Sequence, residues 1–282
     1  MSGKKRVKKD FAEAQGRHLT LQSIPLPADT IAERYISAGW LLSQMDLAGG
    51  RRADDYSRKR AVTIGIDSMS FKKPVFVGDM VSIYTEVVRQ GRTSITLKIE
   101  SWAHRRRSKK LEKVTEGMFT FVTIDKNGKP TPIDKKLPAP AQPVTVKKAV
   151  MKESIKPPSI DKLVIRTIPM PRDTNYIGDI FGGWLLEQMD MAGGKAAAKH
   201  VNHRVATVGL KAMTFHKPVR VGDQISLYAT IQKVGNTSVT VKVETWAIRK
   251  ETEILEKVTE GTFTYVAVDK KHKPVPVGPG LV

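Results

Sequence analysis

The chain has 282 residues, enough for two ordinary domains, and its 40% hydrophobic and 27% charged residues describe a globular protein. No apolar run approaches the roughly 18 to 20 residues that span a bilayer, so no membrane span is expected, and the absence of cysteine excludes disulfides, thiolate nucleophiles and cysteine-ligated metals. The formal net charge of +20 predicts attraction to polyanions, whether nucleic acid, an anionic membrane surface or a polyphosphorylated small molecule, unless the lysines only decorate solvated tails and hairpins.

Residues 1–17 form a basic tail without periodicity. The opening MSGKKRVKKD is not followed by an apolar segment, so no secretory signal is expected and the location expected is cytoplasmic. A first unit, 18–126, opens with the alternating LTLQSIPL, which reads as a strand ended by Pro25 and Pro27. The stretch Asp29 to Gly50 then runs from a turn into an apolar helix, and four strand-like segments follow: Thr63 to Phe71, Met80 to Val88, Thr93 to Ala103 and Val114 to Ile124. In the third of these Ile95, Leu97 and Ile99 alternate with Thr96, Lys98 and Glu100. Residues 127–159 are rich in Pro and Lys and read as a linker.

From 160 to 277 the same order recurs. Trp40 and Asp46 answer Trp184 and Asp190 at a constant offset of 144, and roughly half the positions between 26 and 125 are identical to those 144 places later. Two units of one kind are therefore expected to pack on a pseudo-two-fold axis, as a homodimer fused in one chain. Each reads strand, helix, then antiparallel strands, an α+β unit. Trp184, Leu185, Leu186, Met189, Met191, Ala192 and Ala196 make the second helix apolar nearly all round, so the sheet is expected to wrap it.

Asp190 lies inside that helix, and a buried carboxylate without partners costs several kcal/mol. Gly193 and Gly194 follow it, as Gly49 and Gly50 follow Asp46. Close approach of a ligand and close packing of backbone or ring explain such glycines equally well. Ahead of the helix, Gly178, Gly182 and Gly183 free the turn, Asp179 can cap a helix starting near Ile180, and Asn175 adds a neutral donor. The N–H groups of Phe181 to Trp184 would stand at the positive end of the helix dipole, suited to an oxygen that gains negative charge. His200, His203 and His216 show no metal spacing and are not expected to act in catalysis. The cluster Arg105, Arg106, Arg107, Lys109 and Lys110 reads as a solvated hairpin tip or, more sharply, as a phosphate patch.

The string DTNYIGDIFGGWLLEQMDMAGG, followed by ATVG, FHKP, VGD and EGTFTYVAVD, resembles the hotdog-fold acyl-CoA thioesterases of the cytosolic acyl-CoA hydrolase group, and the whole chain resembles their tandem double-hotdog members. The resemblance implies two tandem hotdog domains, each an antiparallel β-sheet wrapped around a central long helix, with sheets joined edge to edge. It implies acyl-CoA sites at the interface, a trimer of double hotdogs, and hydrolysis of medium- to long-chain fatty acyl-CoA to free acid and CoA without cofactor or metal. Coenzyme A would then be the polyanion that the charge attracts; nucleic acid would not. The alternative is a non-catalytic acyl-CoA or nucleotide sensor with a degenerate site.

In that family the helix Asp serves as base or nucleophile, while a turn Asn and helix N-terminal N–H groups from the other unit bind the thioester carbonyl. Carried over, one site combines Asp46 with Asn175, Phe181, Gly182 and Gly183. The other combines Asp190 with Gly39, but there Asn175 becomes Ile31, Gly178 becomes Arg34, Asp179 becomes Tyr35 and Gly182 becomes Ala38. Thr63 and Thr207, on the strands after the helices, complete the residues expected to bind substrate. The first site is expected to be complete and the second weakened.

Overall fold

In the computed structural model, residues 17–32, 34–134, 156–175, 178–211 and 213–277 are described. Most of the basic tail (1–16) and most of the linker (135–155) lie outside the described residues. The first unit runs β1 (His18–Ser23), β2 (Thr30–Ala32), β3 (Tyr35–Ile36), α1 (Ala38–Ser57), β4 (Arg60–Ile66), β5 (Met69–Phe71), β6 (Met80–Gln90), β7 (Ser94–His104) and β8 (Leu111–Ile124). The second runs β9 (Leu163–Thr167), α2 (Gly182–Val201), β10 (Arg204–Leu210), β11 (Met213–Phe215), β12 (Gln224–Val234), β13 (Ser238–Ile248) and β14 (Leu255–Val268).

The period-two segments become the long strands, and Ile95, Leu97 and Ile99 are fully buried on the inner face of β7. Where one strand is expected over Thr63 to Phe71, there are two, broken at Asp67 and Ser68, and the same break divides β10 from β11. The break lets each short strand serve two partners. β4 pairs with β8 of its own unit and β11 of the other, and β10 pairs with β14 and β5, so Met213 stands opposite Ile66 and Leu210 opposite Met69. Both units thereby share one antiparallel sheet of twelve strands, as the resemblance implied.

α1 and α2 lie against one another and against their own sheets. Their inner residues, Leu42, Met45, Leu186 and Met189, are fully buried, whereas Leu47 and Met191 are about half exposed, so each helix keeps one open flank rather than being wrapped all round. The first glycine after each carboxylate has a packing cause: a Cβ on Gly49 would fall 2.5 Å from the Phe121 ring, and one on Gly193 would run into the Tyr265 hydroxyl. Residues 127–134, read as linker from sequence, add to the first unit, since Thr131 and Ile133 donate backbone hydrogen bonds to Thr123 and Arg92.

The arginine cluster is not simply a solvated tip. Arg105 is buried and bonds Asp79 (2.6 Å), Glu112 (2.6 Å) and the Pro74 carbonyl (2.8 Å). Arg249 repeats this with Asp223, Glu256 and the Pro218 carbonyl. Both arginines hold the loop ending in Val-Gly-Asp, where Gly78 and Gly222 adopt φ of 82° and 89°, a left-handed conformation that suits glycine.

Candidate active site

Asp46 and Asp190 sit midway along α1 and α2 with 2% and 5% exposure. Each carboxylate is met by a threonine of the following strand: Thr63 donates to Asp46 at 2.6 Å and Thr207 to Asp190 at 2.7 Å. Each also takes an N–H from the first turn of the opposite helix, Gly183 for Asp46 and Gly39, at 2.9 Å, for Asp190. The helices cross at their N-terminal turns, so every carboxylate receives the positive helix end of the other unit. Gly183, expected to aim at a substrate carbonyl, therefore aims at Asp46 itself. α2 starts at Gly182 with Phe181 in the capping position, not near Ile180 with Asp179 as cap; Asp179 instead bridges to Arg220 through the backbone.

The surroundings of the two carboxylates differ. Ser37, the counterpart of Phe181, donates to Asp190 at 3.1 Å and also accepts from the Gly39 N–H. The Asp190 carboxylate is thus met by Thr207, Gly39 and Ser37, and the Tyr265 hydroxyl donates to its backbone carbonyl at 3.1 Å. A Cβ on Gly182 would lie 3.0 Å from Oδ2 of Asp46, so the glycine leaves that oxygen open, whereas its counterpart Ala38 carries a methyl group. Burial pushes the Asp46 carboxyl up to about 6 against the opposing bonds from Thr63 and Gly183. Burial also raises Asp190.

Asp46 opens on a cavity of 590 Å³ between the units. Thr63 stands beside it on the same wall; Asn175, Phe181 and Gly182 come from the other unit. The expected combination of Asp46, Thr63, Asn175, Phe181 and Gly182 is thus brought together. Leu47, Val62, Ile64, Ile180, Leu185 and Phe215 make the wall largely apolar. Sequence reasoning missed Arg51, His216 and Lys217, which also line it. His216, set aside for want of metal spacing, is carried there by the loop of the FHKP motif, the one signal that could have found it. Among the described residues no group of three or more His, Asp or Glu side chains could hold a metal ion.

On the Asp190 side, Gly39 and Thr207 bond the carboxylate. The side chain of Ile31 lies outside the described residues. Tyr35 and His272, counterparts of the cavity-lining Asp179 and Gly128, stack with ring centroids 3.3 Å apart and planes 5° from parallel. Two positions that border open space in one half are thus filled by rings in contact in the other.

The model of the thioesterase superfamily matches residues 34–109 and 177–253. The chain is 49% identical over 116 residues to the acyl-CoA thioester hydrolase YciA of Escherichia coli strain K12, a match covering 40% of this chain and 87% of that protein. It is 47% identical over 116 residues to an uncharacterized acyl-CoA thioester hydrolase of Zymomonas mobilis, covering 41% of this chain and 77% of the relative. A hexameric thioesterase from Yersinia pestis matches 41% of this chain and 94% of its own at 47% identity and a TM-score of 0.39. An acyl-ACP thioesterase from Bacteroides thetaiotaomicron has the fold across both units, covering 90% of this chain and 99% of its own at a TM-score of 0.60 and 13% identity.

Proposed function

The chain belongs to the thioesterase superfamily, and we propose that it hydrolyses acyl-CoA to free acid and CoA at one site per chain, the cavity where Asp46 meets Asn175. The observation that carries this reading is the meeting, at one cavity, of a buried carboxylate from one unit, raised to about 6, with the Asn175 turn and the α2 N-terminus of the other. Asp46 acts as general base. Thr63 and Gly183 hold its carboxylate, and a pKa near 6 leaves it ionised at neutral pH yet basic enough to take a proton from water. The water oxygen bonds to the thioester carbon while its proton passes to Asp46. The tetrahedral intermediate then collapses to the free acid and expels the CoA thiolate, which takes the proton back from Asp46 and restores the base.

The Asn175 amide and the Gly182 N–H, which has no acceptor within the helix, receive the carbonyl oxygen as it becomes negative. A loss of about 3 kcal/mol in transition-state stabilisation is expected if such a donor is removed. The apolar wall supports a fatty acyl chain of medium to long length, and Arg51 and Lys217 offer positive charge to the phosphates of CoA.

Asp190 has a structural role in this reading, because Thr207, Gly39 and Ser37 satisfy it and Tyr35 and His272 stack at the positions whose counterparts line the Asp46 cavity. A panel of acyl-CoA chain lengths with a thiol reagent tests the proposal. Wild type and Asp190→Asn should release thiol, and Asp46→Asn should not. Activity retained in Asp46→Asn but lost in Asp190→Asn would reverse the pairing. Binding of acyl-CoA without any thiol release would favour the sensor instead. The assembly proposed is a trimer of these tandem chains, to be measured by sedimentation equilibrium.

A further inference from the structure

The two helices cross where positions 43 and 187 meet. These positions are counterparts, separated by the repeat offset of 144, so the pseudo-two-fold axis passes between them. In a true homodimer the residue there would face its own copy. Here the two differ: Ser43 donates its hydroxyl to Oε1 of Glu187 at 2.5 Å. The contact is tight on either side. A Cβ on Gly39 would come 2.9 Å from the Glu187 Cα, and one on Gly183 would come 2.8 Å from the Ser43 Cα, so the helix backbones are in close contact there with no spare volume. Glu187 also stands among like charges, since Asp29, Asp173 and Asp190 add to the burial that raises its carboxyl.

We propose that the Ser43–Glu187 contact makes the two halves of the chain selective for each other, so that the second unit fits a first unit and refuses another second unit. Two second units would bring two Glu187 carboxylates together at the axis, without a hydroxyl donor and beside Asp173 and Asp190 of both copies. One hydroxyl facing one carboxylate gives a bond; two carboxylates at that separation give repulsion. Correct pairing matters because Asp46 and Asn175 belong to different units, and only unlike halves bring them together. The inference rests on the crossing geometry and not on the reaction assigned to the cavity.

The intact chain supplies the test. Ser43→Glu recreates the contact that two second units would make, Ser43→Gln adds the same bulk without charge, and Ser43→Glu with Glu187→Ser exchanges the two residues across the axis. Thermal unfolding at neutral pH should show a fall in Tm of about 8 °C for Ser43→Glu. Ser43→Gln should fall by less than half as much, and the exchanged variant should return to within about 2 °C of wild type. An unchanged Tm in Ser43→Glu would overturn the proposal. So would an equal loss in Ser43→Gln, which would assign the effect to bulk, or a failure of the exchanged variant to recover.

Discussion

At the scale of single residues, the two carboxylates show how one position acquires two fates. Asp46 and Asp190 share a helix position, a threonine partner and an N–H from the opposite helix. They diverge because Phe181 and Gly182 leave Asp46 open to the cavity, while Ser37 adds a further donor to Asp190. Since Asp46 must be ionised to act as base, kcat/KM should rise with pH along a limb with an apparent pKa of about 6. The same shift makes a stability prediction. The folded state holds the proton more tightly than the unfolded chain, whose carboxyl titrates near 3.8. Relative to Asp46→Asn, wild type should therefore be most stable below about pH 4 and lose about 3 kcal/mol as pH rises through about 6. Denaturant unfolding of both proteins across that range measures the difference. Gly182→Ala places a methyl group 3.0 Å from the open oxygen of Asp46; kcat should fall roughly 10²-fold while Tm stays near wild type.

At the scale of elements, the loop between β11 and β12 joins fold to site. It carries His216 to Val219 along the cavity, and Arg249 fixes it through the Pro218 carbonyl and Asp223. Arg105 holds the matching loop of the first unit, which does not line that cavity. Removing either arginine leaves a buried aspartate without its cation, so Arg105→Met and Arg249→Met should each cost about 3 kcal/mol in urea unfolding. Only Arg249→Met should also raise KM for acyl-CoA. An equal change in KM for the two variants would show that the effect is general loosening rather than loss of the cavity wall.

At the scale of the whole molecule, the twelve-stranded sheet makes the two units one body, and the helix crossing sets each carboxylate against the other unit's turn. Some of the 48 lysines and arginines are paired within the fold: Glu100 with Arg17, Lys98 and Lys113, and Glu260 with Lys242 and Lys257. The net excess should act on the phosphate-bearing carrier. Raising the salt concentration should raise KM for acyl-CoA several-fold, yet leave KM for an acyl thioester of an uncharged thiol nearly unchanged. Equal salt effects on both substrates would remove the electrostatic role.

The repeat offset of 144, the alternation in β7 and the motif around Asp190 determined the tandem organisation, the helix within a sheet and the family resemblance, because periodicity and local pattern are carried by neighbours in sequence. The unequal turns, Asn175 against Ile31 and Gly182 against Ala38, also pointed to one complete combination with Asp46. What sequence could not supply was contact between residues far apart in the chain. Ser37 reaching Asp190, Ser43 reaching Glu187, His272 stacking on Tyr35 and Arg249 holding the cavity loop all depend on how the helices cross and the sheets join. Such distances are fixed by tertiary packing alone. The unequal turns thus separated the two counterpart aspartates in one dimension, but the donors that surround each were set only when the opposite half of the chain closed over it.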